Sequence, residues 1–302
     1  MPLKVLITIP HVFAPREGSL YSSQTESKRA VKQQALELAT VGNLCRHGVN
    51  HWIHASLGKG RPVVNRQQTT SDGIDLTIQV YAPADASLAG SVGTHPQLQW
   101  IDADVGDYTQ VPMLASRRAL EQAEAYDIVG YMEDDLLIED QDFFAKLHYL
   151  HTIIPEVYAL VPHRCEQIPE RGDVILSGDP DGGRPDLFWD TGEAIEVQWP
   201  LGNRRFYRAT NPHSGCYFLS QQQARAVGQF WAERNWASQF VLSGPLEQAG
   251  SGVLLPVLKV MKPVPEHYRF LMVRHQDALW RRHAFEQGTA EQGAAEQAAP
   301  RS

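Results

Sequence analysis

The sequence predicts an α/β fold built on a mostly parallel sheet flanked by helices, and three observations carry that prediction. Short apolar runs rich in β-branched residues alternate with longer amphipathic stretches through the N-terminal half. Proline, glycine or polar clusters bound each run, as strand and helix ends require. Beyond residue 155 the pattern turns strand-rich, which predicts a smaller second half joined to the first sheet.

The elements follow in order. LKVLITI (3–9) reads as a buried first strand closed by Pro10, which has no N–H for a central ladder. Residues 28–47 carry Val31, Ala35, Leu38, Ala39 and Leu44 at near-helical spacing and end on Arg46-His47-Gly48, a cationic last turn with a glycine stop. HWIHASL (51–57) and GIDLTIQVYAP (73–83) predict two more strands, separated by a polar loop from Gly58 to Gly73. LQWIDA (98–103) is the next strand, a helix follows from Pro112 to Ala125, and YDIVGYM (126–132) is a buried strand running into Glu133-Asp134-Asp135. A helix over 141–152 comes next. The second half then offers VYALVPH, GDVILSG, AIEVQW, RRFYRAT and GCYFLS as strands, with helices near 221–235 and 245–250.

Composition narrows the function classes. The 302 residues are 43% hydrophobic and 21% charged, a globular balance. A formal net charge of -8 disfavours nonspecific binding to nucleic acid or anionic membrane. No apolar run approaches the roughly 20 residues of a spanning helix, and the first strand lacks a signal-peptide cleavage pattern, so no transmembrane segment and a cytoplasmic location are expected. Cys45, Cys165 and Cys216 are odd in number and widely spaced, which argues against a disulfide framework or structural zinc. Residues 286–302 are of low complexity and predict a disordered tail.

The chemistry concentrates at Glu133-Asp134-Asp135. In an extended chain, Glu133 and Asp135 point to one side and Asp134 to the other. Two carboxylates on one side repel each other unless a cation joins them, and oxygen ligands suit a hard ion, Mg2+ or Mn2+. The competing expectation is a solvated turn, with Glu139 and Asp140 favouring the start of the next helix. In parallel sheets ligands gather beyond the carboxyl ends of the strands, which is where this cluster falls.

The segment SRRALEQAEAYDIVGYMEDDLLI (116–138) resembles the part of GT-A nucleotide-sugar glycosyltransferases in which an Ala-Arg-Asn helix leads to a strand ending in Asp-x-Asp. Arg118 stands where the pattern has asparagine, and Glu133 where it has the first aspartate. The resemblance implies a GT-A-like, Rossmann-like single catalytic domain over 1–285, with a nucleotide-sugar half at 1–138 and an acceptor half at 139–285. It implies Glu133 and Asp135 as metal ligands, with His275 preferred over His267 to complete the shell. Arg117 is then the phosphate contact, and Pro10, His11, Arg16 and Asp134 belong to the donor side, with Ser19 near the base or ribose.

The same resemblance implies an acceptor side in which Asn211, His213 and Ser214 of NPHSGCYFLS (211–220) bond hydroxyls and Glu247 of SGPLEQAG (243–250) acts as base in an inverting transfer. The expected partners are a nucleotide-sugar donor and a sugar, lipid or small-molecule acceptor, with Mn2+ or Mg2+ as cofactor and no nucleic acid. Two other readings use the same residues: a metal-dependent phosphohydrolase or nucleotidyltransferase, and a noncatalytic binding protein that retains the fold.

Overall fold

The structure, a computed structural model of the chain, describes residues 1–15, 25–58, 60–69, 73–168, 172–175, 191–234 and 244–276. In chain order the first strands are β1 (Leu3–Pro10), β2 (His51–Gly58), β3 (Arg61–Thr69), β4 (Ile74–Ala82), β5 (Leu98–Asp102), β6 (Ile128–Met132) and β7 (Leu136–Leu137). Then come β8 (Tyr158–Leu160), β9 (His163–Ile168), β10 (Gly172–Ile175), β11 (Ala194–Val197), β12 (Arg204–Arg208), β13 (Cys216–Ser220), β14 (Lys259–Pro263) and β15 (Met272–His275). The helices are α1 (Arg29–Glu37), α2 (Cys45–His47), α3 (Val111–Glu121), α4 (Phe143–Ile153), α5 (Gln221–Ala232) and α6 (Pro245–Glu247). A π-helical stretch, Leu38–Leu44, makes α1 and α2 one continuous rod, the helix expected over 28–47.

The central sheet has the order β13-β6-β1-β4-β5. β6, β1, β4 and β5 are parallel, and β13 closes the edge antiparallel to β6. Alternating side chains sort the core into two layers. Val5, Ile7, Ile9, Ile78, Val80, Met132 and Phe218 pack on one face with Phe143, Phe144 and Leu147 of α4. Val129, Tyr131, Tyr217 and Leu219 pack on the other with Val111, Ala115 and Ala119 of α3 and Ala224, Val227 and Trp231 of α5. Covered on both sides, the sheet buries every residue of β6, as parallel strands require.

The expected α/β architecture is therefore present, and the strand-rich second half is mixed. β13 completes the first sheet, while β10-β9-β15-β7 and β11-β12-β14-β8 form two four-stranded sheets. β15 is parallel to β9 but antiparallel to β7, so it sits between the end of the acidic segment and the second half.

Two expectations need correction. The stretch read as a loop from Gly58 to Gly73 contains β3, which pairs antiparallel with β2 as a hairpin. Its described side chains are largely exposed, so polar residues that suggested a loop are what a two-sided solvated ribbon needs. The acidic triplet is a turn rather than an extended strand end, with the Leu136 N–H reaching the Glu133 carbonyl at 3.4 Å before β7 begins. Yet the turn is not solvated: Glu133 is only 6% exposed. Among the described residues no helix is long and apolar enough to cross a membrane. The tail 286–302, Arg16 and Ser19 lie outside the described residues.

Candidate active site

The chain passes from β1 outward to β4 and β5, then returns to the opposite side of β1 as β6. This reversal opens a crevice beyond the carboxyl ends of β1 and β6, the place where open α/β sheets hold ligands. Pro10-His11 leave β1 there and Glu133-Asp134-Asp135 leave β6, because the register sets Thr8 beside Tyr131. His11 and Asp134 bridge the gap: His11 Nδ1 lies 2.6 Å from Asp134 Oδ2, while His11 Nε2 accepts from the Leu88 N–H at 3.2 Å. The second contact makes Nε2 an acceptor, so Nδ1 carries the proton toward Asp134.

Glu133 and Asp135 have other partners than Asp134: two basic side chains and two histidines. Glu133 Oε2 is 3.4 Å from Arg164 Nη1, and Oε1 is 3.5 Å from His213 Nε2. Asp135 Oδ2 is 3.5 Å from His275 Nε2 and 3.7 Å from Lys32 Nζ. These pairs are longer than charge-assisted hydrogen bonds. Among the described residues Glu133 Oε1 and Asp135 Oδ1 find no hydrogen-bond partner, though both are buried. Oxygens left this way carry an uncompensated desolvation cost unless a donor or cation reaches them.

Neighbouring strands fix this geometry. Arg164 and Glu166 are two apart on β9 and so share one face of it. The parallel register of β15 on β9 ends with Arg274 opposite Cys165, and the next residue, His275, sets its Nδ1 3.0 Å from Glu166 Oε1. On its other edge His275 stands opposite Leu136, which brings its ring to Asp135. The Gln276 N–H donates to the Asp135 carbonyl, and the Gln276 side chain donates to the Ala35 carbonyl, tying α1 and its Lys32 to the same turn.

The acceptor-side candidates converge here as well. The His213 N–H donates to Asn211 Oδ1 at 3.0 Å, and Ser214 Oγ donates to the His213 carbonyl at 2.9 Å. Lys262 Nζ, fully buried, donates to that carbonyl at 2.8 Å. His213 Nδ1 lies 3.2 Å from Ser251 Oγ, which donates to the Glu247 carbonyl at 3.0 Å. Gly215 follows with φ of +70°, and its carbonyl accepts the Glu133 N–H at 2.9 Å. Glu247, half-buried at the end of α6, is near enough for its charge to weigh on Glu133.

Burial dominates the electrostatics. It raises the Glu133 carboxyl to about 7 against the pull of Arg164, with Asp135 adding to the rise. Burial also opposes charge on Asp135, but His275, Lys32 and Arg164 outweigh it and hold that carboxyl below the usual range. For His275 desolvation is outweighed by Asp135 and Glu166, which raise it to about 9. Burial, with Arg164, Lys262 and His275 nearby, keeps His213 neutral, its pKa well below the ordinary histidine value. Burial likewise lowers Lys262 to about 7, helped by Arg164.

Arg117, expected to meet donor phosphates, instead pairs its Nε with Glu121 Oε1 at 2.6 Å. Both side chains are more than a third exposed, an i,i+4 pair on the surface of α3. His267 is engaged elsewhere, its Nδ1 accepting the Arg205 N–H at 3.0 Å, so His275 is the histidine at the acidic turn. Sequence reasoning missed Arg164, Glu166, Lys262 and Lys32. A signal for the first two was present in HRCEQI, where opposite charges occupy alternate positions of a strand.

Among the described residues no group of three or more His, Cys, Asp and Glu is arranged to hold a metal ion as it stands. The two orphaned carboxylate oxygens nevertheless match what a hard divalent ion takes, and His275 adds an imidazole beside them. No family model matches the chain, and no curated protein does. Among solved structures it is similar to a 4-diphosphocytidyl-2C-methyl-D-erythritol synthase at 11% identity and a TM-score of 0.38, over 89% of this chain and 96% of that one. It is also similar to a mannose-1-phosphate geranyltransferase from Thermus thermophilus at 10% identity and a TM-score of 0.37, over 86% of this chain and 73% of that one. Likeness at this level carries no argument about activity, and the α/β class rests on the sheet order and helix packing themselves.

Proposed function

We propose that the chain is a divalent-cation-dependent glycosyltransferase that moves a sugar from a nucleotide-diphosphate donor to an acceptor hydroxyl. The observation that supports this is the pair of orphaned carboxylate oxygens, on Glu133 and Asp135, at the switch point of the parallel sheet. In this reading Glu133, Asp135 and His275 hold Mn2+ or Mg2+. Once bound, the ion supplies charge neutralisation for the departing diphosphate.

The chain's own residues do the rest. Arg164 and Lys32, exchanging carboxylates for phosphate oxygens, orient the diphosphate. Asp134, oriented by His11, bonds ribose or sugar hydroxyls in the crevice, with Pro10 fixing the chain that carries His11 and Arg16 adding to the donor side. Asn211, His213 and Ser214 shape the floor on the acceptor side. Glu247 takes the proton from the attacking hydroxyl, which makes the transfer inverting.

A second reading has its own support. Arg164, His275 and Lys32 already stand within 3.4–3.7 Å of the two carboxylates, so the cluster can balance its charge without a metal, as a noncatalytic binding protein would. A thermal-shift panel of UDP-, GDP-, ADP- and CDP-sugars, with and without Mn2+, separates the two. The transferase reading expects metal-dependent stabilisation by at least one donor, lost in Asp135→Ala. No response in the wild type, or an equal response in the mutant, overturns it. Pyrophosphate formation from a nucleoside triphosphate and a sugar phosphate, without glycosyl transfer, selects a nucleotidyltransferase instead.

A further inference from the structure

Glu166 has no part in the reading above, yet it is the acid most fully withdrawn from water beside the site, 1% exposed on a central strand of its sheet. A carboxylate is rarely buried so deeply without a specific charged or hydrogen-bonding partner. Its Oε1 lies 3.0 Å from His275 Nδ1, while His275 Nε2 points the other way, 3.5 Å from Asp135 Oδ2. The chain Glu166–His275–Asp135 crosses three adjacent strands, β9, β15 and β7 with the turn before it, and each link follows from strand register.

This arrangement has a chemical consequence. The two ring nitrogens of a histidine are not equivalent, and the one that ligates is chosen by what the other bonds. With the Nδ1 proton held by Glu166, Nε2, which faces Asp135, is the nitrogen that gives up its proton when a cation binds. Metal-bound histidines characteristically donate their second ring N–H to a carboxylate or carbonyl, which fixes the tautomer and makes the imidazole a stronger ligand.

We infer that Glu166 is the positioning residue of the cation site, locking His275 in the Nδ1–H tautomer so that Nε2 faces the ion held by Glu133 and Asp135. The inference rests on the proposed metal reading and adds to it a residue that touches neither ion nor substrate. Arg164, on the same face of β9, then gives that strand two tasks: Glu166 orients the ligand and Arg164 balances Glu133.

The test is Mn2+ titration, followed by electron paramagnetic resonance of the free ion, on wild type, Glu166→Gln, Glu166→Ala and His275→Ala, with no substrate present. Loss of a carboxylate behind a metal-bound histidine typically weakens the metal about 10–100-fold. Glu166→Ala is expected in that range and Glu166→Gln, which keeps an acceptor of the same shape, between it and wild type. In the His275→Ala background Glu166→Gln should change affinity less than about two-fold, because its effect passes through the ring. Nitrogen-15 shifts of His275 in the metal-loaded, diamagnetic Mg2+ form should report Nδ1 protonated in wild type, with that preference lost in Glu166→Ala.

Equal Mn2+ affinity in wild type and Glu166→Gln, with the tautomer unchanged in both variants, overturns the inference and leaves the metal reading intact. A wild type that takes up no Mn2+ overturns both. If Glu166→Ala does not fold, the Glu166→Gln and His275→Ala pair still decides.

Discussion

Substitution of Gly215 by alanine strikes the site through its backbone. Gly215 has φ of +70°, and an alanine Cβ there would stand 2.9 Å from Glu133 Oε2 and 3.0 Å from Leu136 Cδ1. The left-handed conformation alone costs a non-glycine residue about 1–2 kcal/mol. Crowding adds about 1–3 kcal/mol when neighbours cannot yield, and here Leu136 is fully buried while Glu133 is held between Arg164 and His213. The sum is about 2–5 kcal/mol. Gly60 is the control: its φ is +75°, and a Cβ there meets nothing within 4 Å, so Gly60→Ala carries only the first of these costs. Urea unfolding of both variants measures the difference, and Glu133→Asp in the Gly215→Ala background, by withdrawing the carboxylate, should make the double mutant about 1 kcal/mol better than additive. If Gly215→Ala costs no more than Gly60→Ala, or the double mutant is additive, the close approach of this glycine to the carboxylate is not what shapes the turn.

Three further outcomes follow from the same geometry. Phe218→Ala, which empties a fully buried edge-to-face cluster with Phe143 and Phe144 at ring separations of 5.1 and 5.8 Å, should cost about 3–5 kcal/mol in urea unfolding. Burial, with Lys262 nearby, lowers the pKa of His163 to about 3, so the folded chain stays neutral there while the unfolded chain takes up a proton near pH 6.5. The resulting stability is complete above pH 6.5 and is lost as pH falls toward 3, by up to about 1.4 kcal/mol per pH unit, and His163→Gln should flatten that slope between about pH 6 and 4. Arg117→Ala should change stability by less than about 0.5 kcal/mol and leave any metal-dependent nucleotide response intact; loss of that response would return Arg117 to the donor site.

Much of the site was legible in local pattern. A β-branched run ending in proline, a buried strand ending in massed carboxylates and an apolar run ending in His275 each place a polar group at a strand end, because burial period and chain punctuation are local properties. The hairpin was not legible: Arg61–Thr69 has few apolar residues, and only its pairing with β2 makes it a strand. Nor was the pairing of Arg117 with Glu121 on the surface of α3, since spacing puts a residue on a helix but does not choose its partner.

The sequence by itself determined the α/β class, the parallel strands of the first half and the acidic cluster at the end of the one that became β6. Tertiary structure alone decided what surrounds those carboxylates. Arg164 and Glu166 arrive from β9, His275 from β15 and His213 from the turn before β13, all through pairings between strands far apart in the chain. A side-chain period tells which face of a strand is buried, but the neighbour it meets depends on register with a distant segment, and that is settled only when the whole sheet forms.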